Sequence, residues 1–306
     1  MIAPQYRAQV DLLLQVLPHV AKEDCFALKG GTAINLFVRQ MPRLSVDIDL
    51  TYLPFDDRAA AMTGITEALR RIQRRVEAAL PNSRAALIPQ CDGPEAKLVC
   101  QVPGAQIKVE VNTTIRGHML PPRAMDIAAA AEAEFGRFVS ANVVSHAELI
   151  GGKICAALDR QHPRDLFDVH HMFANEGYTD DVRLGFIALL ISHPRPMNEM
   201  LRPNYLDQTL VFDSQFAGMA FSPFTYPDFE ISRARLVQTI RQSWTDTERR
   251  FLLSFKGGEP DWGLLPLPDL QRMPAVQWKL ANIRKLIHQN PPKHTAQVKL
   301  LQGEIE

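Results

Sequence analysis

The chain has 306 residues, an apolar share of 46% and 34 basic against 34 acidic side chains. The length suits two domains, and the zero net charge excludes a uniformly basic nucleic-acid binder, so any such partner must be held by local charge. Cys25, Cys91, Cys100 and Cys155 form no CxxC pair, which argues against a zinc knot or a disulfide framework, and neither a secretory leader nor a long apolar span is visible. A cytoplasmic protein with no membrane partner is expected.

In chain order, Val10, Leu13, Leu14 and Leu17 lie on one face of a predicted helix over residues 4–21. FALKGGTAINLFV then reads as a short strand from Phe26, a turn at Gly30 and Gly31, and a helix that Thr32 is placed to cap. In RLSVDIDLTYL the residues alternate, with Val46, Ile48 and Leu50 facing a core and Ser45, Asp47 and Asp49 facing outward. A helix is predicted over 58–80, and short strands over 85–89, 97–102 and 106–112. Residues 113–142, broken at Pro121 and Pro122 and carrying an alanine-rich helix, read as a junction. Ser145 and Glu148 have capping-box spacing for a helix reaching Gln161, and Pro163 opens another ending near Gly177. Beyond residue 180 the periodicity is helical, with proline-rich connectors and a polar tail after Asn290 that is expected to fray.

Two constellations carry chemistry. Asp47 and Asp49, at i and i+2 of a strand, project from one face and suit a shared hard cation such as Mg²⁺. The glycine turn ahead of them leaves backbone N–H groups open to a triphosphate at a helix start. No P-loop and no GxGxxG occurs, so phosphate would be bound on another plan. Two-metal transfer calls for a third acid. Glu110 is the best placed, sharing the polar face of IKVEVN with Lys108 and Asn112, while Asp92 and Glu95 are weaker alternatives in a turn. In the second constellation, Lys153 sits at the edge of an apolar stripe from which its ammonium can snorkel toward a phosphate, and Asp165 and Asp168 are i,i+3 neighbours. An ordinary salt-bridged helix pair explains that second group equally well.

KGGTAINLFVRQMPRLSVDIDL, followed by ELIGGKICAALDRQHPRDLFDVHHM, resembles the AbiEii/AbiGii toxin family of nucleotidyltransferases. That family lies within the DNA polymerase β-like superfamily and includes the toxins of abortive-infection and MenT-type toxin–antitoxin systems. The resemblance spans roughly residues 26–173. It departs from the superfamily's usual glycine-serine in reading GGT, and nothing in the C-terminal half matches residue by residue. It implies an α+β fold: a nucleotidyltransferase core of a small mixed sheet with flanking helices over residues 1–143, then a mainly helical domain over 144–306 that contributes Lys153 and Asp165 or Asp168 to the site. It also implies that Asp47, Asp49 and Glu110 hold two Mg²⁺ (Mn²⁺ as a substitute). Lys29, Gly30, Gly31, Thr32, Arg43, Ser45 and Lys153 would hold the NTP.

The expected reaction moves a nucleoside monophosphate from an NTP to an acceptor hydroxyl with release of pyrophosphate, and the resemblance points to RNA, a tRNA 3′ end, as acceptor. Arg70, Arg71, Arg74 and Arg75 form a basic stripe suited to that partner, with a second basic stretch at Arg233, Arg235, Arg241, Arg249 and Arg250. Either is also readable as a solvated helix face. Trp244, Trp262 and Trp278 are expected in a core. A cognate antitoxin encoded nearby is implied by resemblance alone. The rival readings are a transferase acting on a protein or a small molecule such as an antibiotic, and a non-catalytic binding module of the same fold.

Overall fold

The structure is a computed structural model that describes residues 3–88 and 95–306; Pro89, Cys91 and Asp92 lie outside the described residues. The chain divides into two compact units, one of residues 1–145 with Asp213–Phe224 and one of His146–Phe212 with Thr225–Glu306.

The first unit is built on a seven-stranded mixed sheet. Its strands are β1 (Phe26–Lys29), β2 (Ile48–Tyr52), β3 (Arg84–Ile88), β4 (Glu95–Val102), β5 (Ala105–Asn112), β6 (Arg123–Asp126) and β7 (Ser140–Val143), in the order β3-β4-β5-β2-β1-β7-β6. β2 runs parallel to β5 and β1 parallel to β7, and the remaining neighbours are antiparallel. Helix α1 (Pro4–Val20) lies over the row Leu28, Leu50, Val111, all of them buried. Helix α3 (Arg58–Ala79) packs beside it, entered through Asp57, whose carboxylate accepts from the Ala60 N–H. Between them in sequence, α2 (Gly30–Ala33) widens directly into a π-helical segment, Ile34–Val38.

The stretch read as a junction contains two strands, β6 and β7, around α4 (Ala129–Phe135). Both strands are four residues long and β6 is largely exposed, so neither carries the alternation by which strands are recognised. Their partners supply the order: β7 pairs with β1 at Leu28 and Val143.

The second unit is helical: α5 (His146–Asp159), α6 (Pro163–Ala174), α7 (Asp180–Ser192), α8 (Met197–Leu201), α9 (Thr209–Gln215, whose last turn belongs to the first unit), α10 (Tyr226–Gln242), α11 (Asp246–Lys256), α12 (Pro274–Gln289) and α13 (Pro291–Ile305). Capping boxes at Thr225 with Asp228 and Thr245 with Glu248 start α10 and α11. The tail expected to fray is α13. The Asn290 carboxamide caps it, and Leu301 and Ile305, one turn apart, are buried. Trp244 is buried and Trp262 packs on Phe251 and Phe255, whereas Trp278 is half exposed, unlike the core position expected. Cys25, Cys100 and Cys155 are free thiols. Among the described residues no helix is long and apolar enough to cross a membrane.

Candidate active site

In the first unit the glycine turn and the acidic strand are packed on each other. Gly30 has φ +71°, and a Cβ there would stand 2.3 Å from the Asp49 Oδ2, so only glycine lets the backbone lie against that carboxylate. Gly31 is equally confined: its missing Cβ would meet the Arg43 guanidinium and the Ser45 hydroxyl, each at 2.8 Å. Arg43 and Ser45 are both buried, and Arg43 also donates to the Leu44 carbonyl at 2.8 Å. Four residues expected around a nucleotide, Gly30, Gly31, Arg43 and Ser45, thus line one tight turn, with Asp49 against it.

Thr32 does not cap the helix. Lys29 occupies the cap position, in extended conformation and without a side-chain cap. Thr32 falls within the first turn, fully buried, and its hydroxyl donates to the Asp47 carbonyl at 2.5 Å. The reason is local: the helix begins at Gly30, three residues earlier than the capping reading assumed. The threonine therefore ties the residue before β2 to the turn. Asn35 does related work that sequence reading missed, donating from its carboxamide to the Gly31 carbonyl at 2.9 Å. Its i+4 spacing from Gly31 was the available signal.

Asp47 immediately precedes β2, and Asp49 lies within it. Register then assembles a row that no local pattern contains. Lys29 on β1 is opposite Asp49, Asp49 is opposite Glu110 on β5, and Glu110 is opposite Lys97 on β4. Laterally paired residues point to the same face, so the row runs cation, carboxylate, carboxylate, cation. Lys97 Nζ is 2.9 Å from Glu110 Oε1. Ile107, Val109 and Val111 are buried on the other face, as the alternation of IKVEVN predicts. Glu95 begins β4 rather than lying in a turn. Among the described residues, no three His, Cys, Asp or Glu side chains gather in the manner of a preformed metal site.

In the second unit Lys153 on α5 does not snorkel outward. Its ammonium is buried and lies 2.7 Å from Asp165 Oδ1 and 3.2 Å from Asp168 Oδ2, both on α6 and both buried. Arg160, which sequence reading passed over, holds Asp165 through Nε at 2.6 Å and Nη2 at 3.1 Å. Burial pushes the Asp165 carboxyl up, and the charges and hydrogen bonds of Lys153 and Arg160 more than offset this, holding it well below the usual carboxylate range. The positive φ of Gln161 turns the chain between Arg160 and α6, and His162 caps that helix, accepting from the Arg164 N–H. α5 itself is set by a backbone-to-backbone crossing with α7: a Cβ at Gly151 would stand 2.3 Å from the Gly185 carbonyl carbon, and one at Gly185 would stand 1.9 Å from the Ala147 oxygen.

A family model described as the nucleotidyl transferase AbiEii toxin of type IV TA systems matches residues 11–282. The chain belongs to this family. It is accordingly a nucleotidyltransferase of the toxin class, as its two motif blocks imply, and NTP is the substrate that the class uses. Among solved structures, the nucleotidyltransferase toxin MenT4 from Mycobacterium tuberculosis shares its fold at a TM-score of 0.62 and 15% identity, covering 91% of this chain and 93% of that one. No curated protein matches the chain. The family's toxin class also implies a cognate antitoxin.

The arginine stripe expected to hold RNA divides on inspection. Arg71 and Arg75 are both committed to the buried Glu23, at 2.7 and 2.5 Å, and Arg75 also donates to the His19 carbonyl. Arg70 and Arg74 are exposed. In the second stretch Arg233 is buried against Gln161, Leu206 and the ring of Tyr205, Arg235 lies over the ring of Phe173, and Arg241 and Arg249 bond Glu304 and the Ile305 carbonyl. Arg250 is exposed.

Proposed function

We propose that the chain transfers a nucleoside monophosphate from an NTP to a hydroxyl of RNA, at the 3′ end of a tRNA, with pyrophosphate as the leaving group. The observation that carries this reading is the packing of the Asp49 carboxylate on the Gly30 backbone, with the Asp47 carbonyl bonded by Thr32. That packing puts the Asp49 carboxylate beside backbone suited to phosphate and ties the Asp47 backbone to the same turn.

The residues present fit a divalent cation: the carboxylates of Asp47 and Asp49 are its donors, and Mg²⁺ takes such oxygen ligands readily. Bound there, the ion supplies Lewis-acid stabilisation of phosphate charge and lowers the pKa of the attacking hydroxyl. Gly30 and Gly31 let the turn pack against Asp49, Arg43 and Ser45, with Lys29 and the Arg43 guanidinium as the cations for the triphosphate and the Ser45 and Thr32 hydroxyls setting the shape of the turn. In the second unit the buried Lys153 ammonium is held between Asp165 and Asp168, and in this reading the three fix the geometry of their own helix pair. Arg70 and Arg74 supply the exposed cations for an RNA backbone.

The test uses purified protein, each NTP labelled at its α-phosphate, Mg²⁺, and separate total RNA and total protein fractions. Label entering RNA, and lost with Asp47→Asn, supports the reading. Label entering protein or a small molecule instead moves the acceptor to the rival class, and equal labelling by Asp47→Asn removes Asp47 from the reaction.

A further inference from the structure

Glu110 stands directly opposite Asp49 in the parallel pair of β2 and β5, yet its carboxylate is engaged at 2.9 Å by Lys97 from the other neighbouring strand. Two like charges facing each other across a strand pair repel. Lys29 beside Asp49 and Lys97 beside Glu110 offset that repulsion from the two ends of the row. The Lys97 ammonium thus supplies the positive charge that faces Glu110.

We propose that Lys97 is the positioning residue of this site: its ammonium stands in for a second cation at Glu110, so that without nucleotide the chain binds one divalent ion, through Asp47 and Asp49, rather than two. The inference rests on the reading of Asp47 and Asp49 as metal donors. Two observations agree with it. The Lys97–Glu110 pair is made across β4 and β5 at a register the backbone sets, so it is not a chance encounter of two long side chains. Both side chains are partly open to solvent, 39% and 17% exposed, so the carboxylate is within reach of an ion were the lysine removed. Chemically, a resident ammonium confers a fixed single charge that needs no ion from solution. Occupancy at Glu110 is then independent of Mg²⁺ concentration, and ion uptake depends on the two aspartates alone.

The test counts Mn²⁺ bound to the nucleotide-free full chain, by titration calorimetry and by loss of the free-ion paramagnetic resonance signal. Wild type is expected to take one Mn²⁺, lost in Asp47→Asn. Lys97→Met is expected to take a second ion or to bind the first about tenfold more tightly, the change in reach when a unit charge is removed from the neighbouring position at partial exposure. Lys97→Gln should behave alike, Lys97→Arg like wild type, and Lys97→Met combined with Glu110→Gln should lose the gain. Two ions in wild type, or Lys97→Met and Lys97→Gln proteins that bind as wild type does, overturn the assignment. If wild type takes no Mn²⁺, or Asp47→Asn changes nothing, the metal reading of the aspartates fails instead. Circular dichroism identifies a variant that has not folded, in which case the glutamine variant decides.

Discussion

Among the described residues two groupings of lysine with paired carboxylates differ chiefly in water. In the sheet row the Lys97 and Glu110 side chains are 39% and 17% exposed; in the helical cluster Lys153, Asp165 and Asp168 are at 8%, 1% and 0%. An open pair is worth about 0–1 kcal/mol, because water and salt screen it and replace either partner cheaply. A buried one is retained because removing a single member strands an uncompensated charge, at about 3–5 kcal/mol. Water therefore screens the open row, while the closed cluster holds a fixed geometry.

The contrast breaks first at Asp165. Asp165→Asn is expected to lower stability by about 3–5 kcal/mol in urea denaturation, because Lys153 and Arg160 lose their shared carboxylate, whereas Glu110→Gln should cost about 1 kcal/mol or less. Equal costs would mean that burial does not separate the two groupings. Next in size is the helix crossing that carries Lys153. Gly185→Ala puts a methyl 1.9 Å from the Ala147 oxygen and is expected to cost about 1–3 kcal/mol by thermal unfolding, while Gly152→Ala, with nothing within 4 Å, leaves stability unchanged or slightly raised.

Acid should separate the groupings further. Asp165 has a folded pKa below its ordinary 3.8, so its stabilisation is complete above that value and is lost as pH falls below it toward the folded pKa. Glu23, whose carboxyl burial pushes up but Arg71 and Arg75 hold below 4.5, contributes in the same direction in the first unit. Unfolding monitored between neutral pH and pH 2 is expected to show a fall in stability at the acid end that Asp165→Asn reduces; an unchanged slope would contradict the pairing. The smallest effect concerns the stripe. Arg75→Ala should destabilise modestly through Glu23, whereas Arg70→Ala and Arg74→Ala should leave unfolding unchanged and weaken RNA binding, each reducing its salt dependence by about one ion.

Much of the architecture was readable from periodicity. The spans of α1, α3 and α5, the strand carrying Asp49 and the polar face of β5 all follow from spacings of 3.6 or 2 within one element. β6 and β7 were not readable, because four residues at the margin of a sheet carry too short a pattern, and α13 was misjudged because Leu301 and Ile305 are its only fully buried apolar anchors. At the site, the glycines and the Asp47, Asp49 pair were visible as motifs. Their packing on each other was not, nor was the burial of Arg43, a side chain that composition alone assigns to the surface.

What the residues in order specify is chemistry and local form: two acids two apart on a strand, a glycine turn before them, a lysine helix followed by an RDxxD helix. Which charges meet was left to the folded chain. Lys97 reaches Glu110 through the β4–β5 register, Arg160 reaches Asp165 through the turn at Gln161, and Arg71 and Arg75 leave the arginine stripe for Glu23. The physical reason is one of range. A repeat of two or 3.6 residues fixes the face on which a side chain stands, but its partner is set by register between elements distant in sequence, and that is decided only when the hydrophobic faces of those elements have closed on one another.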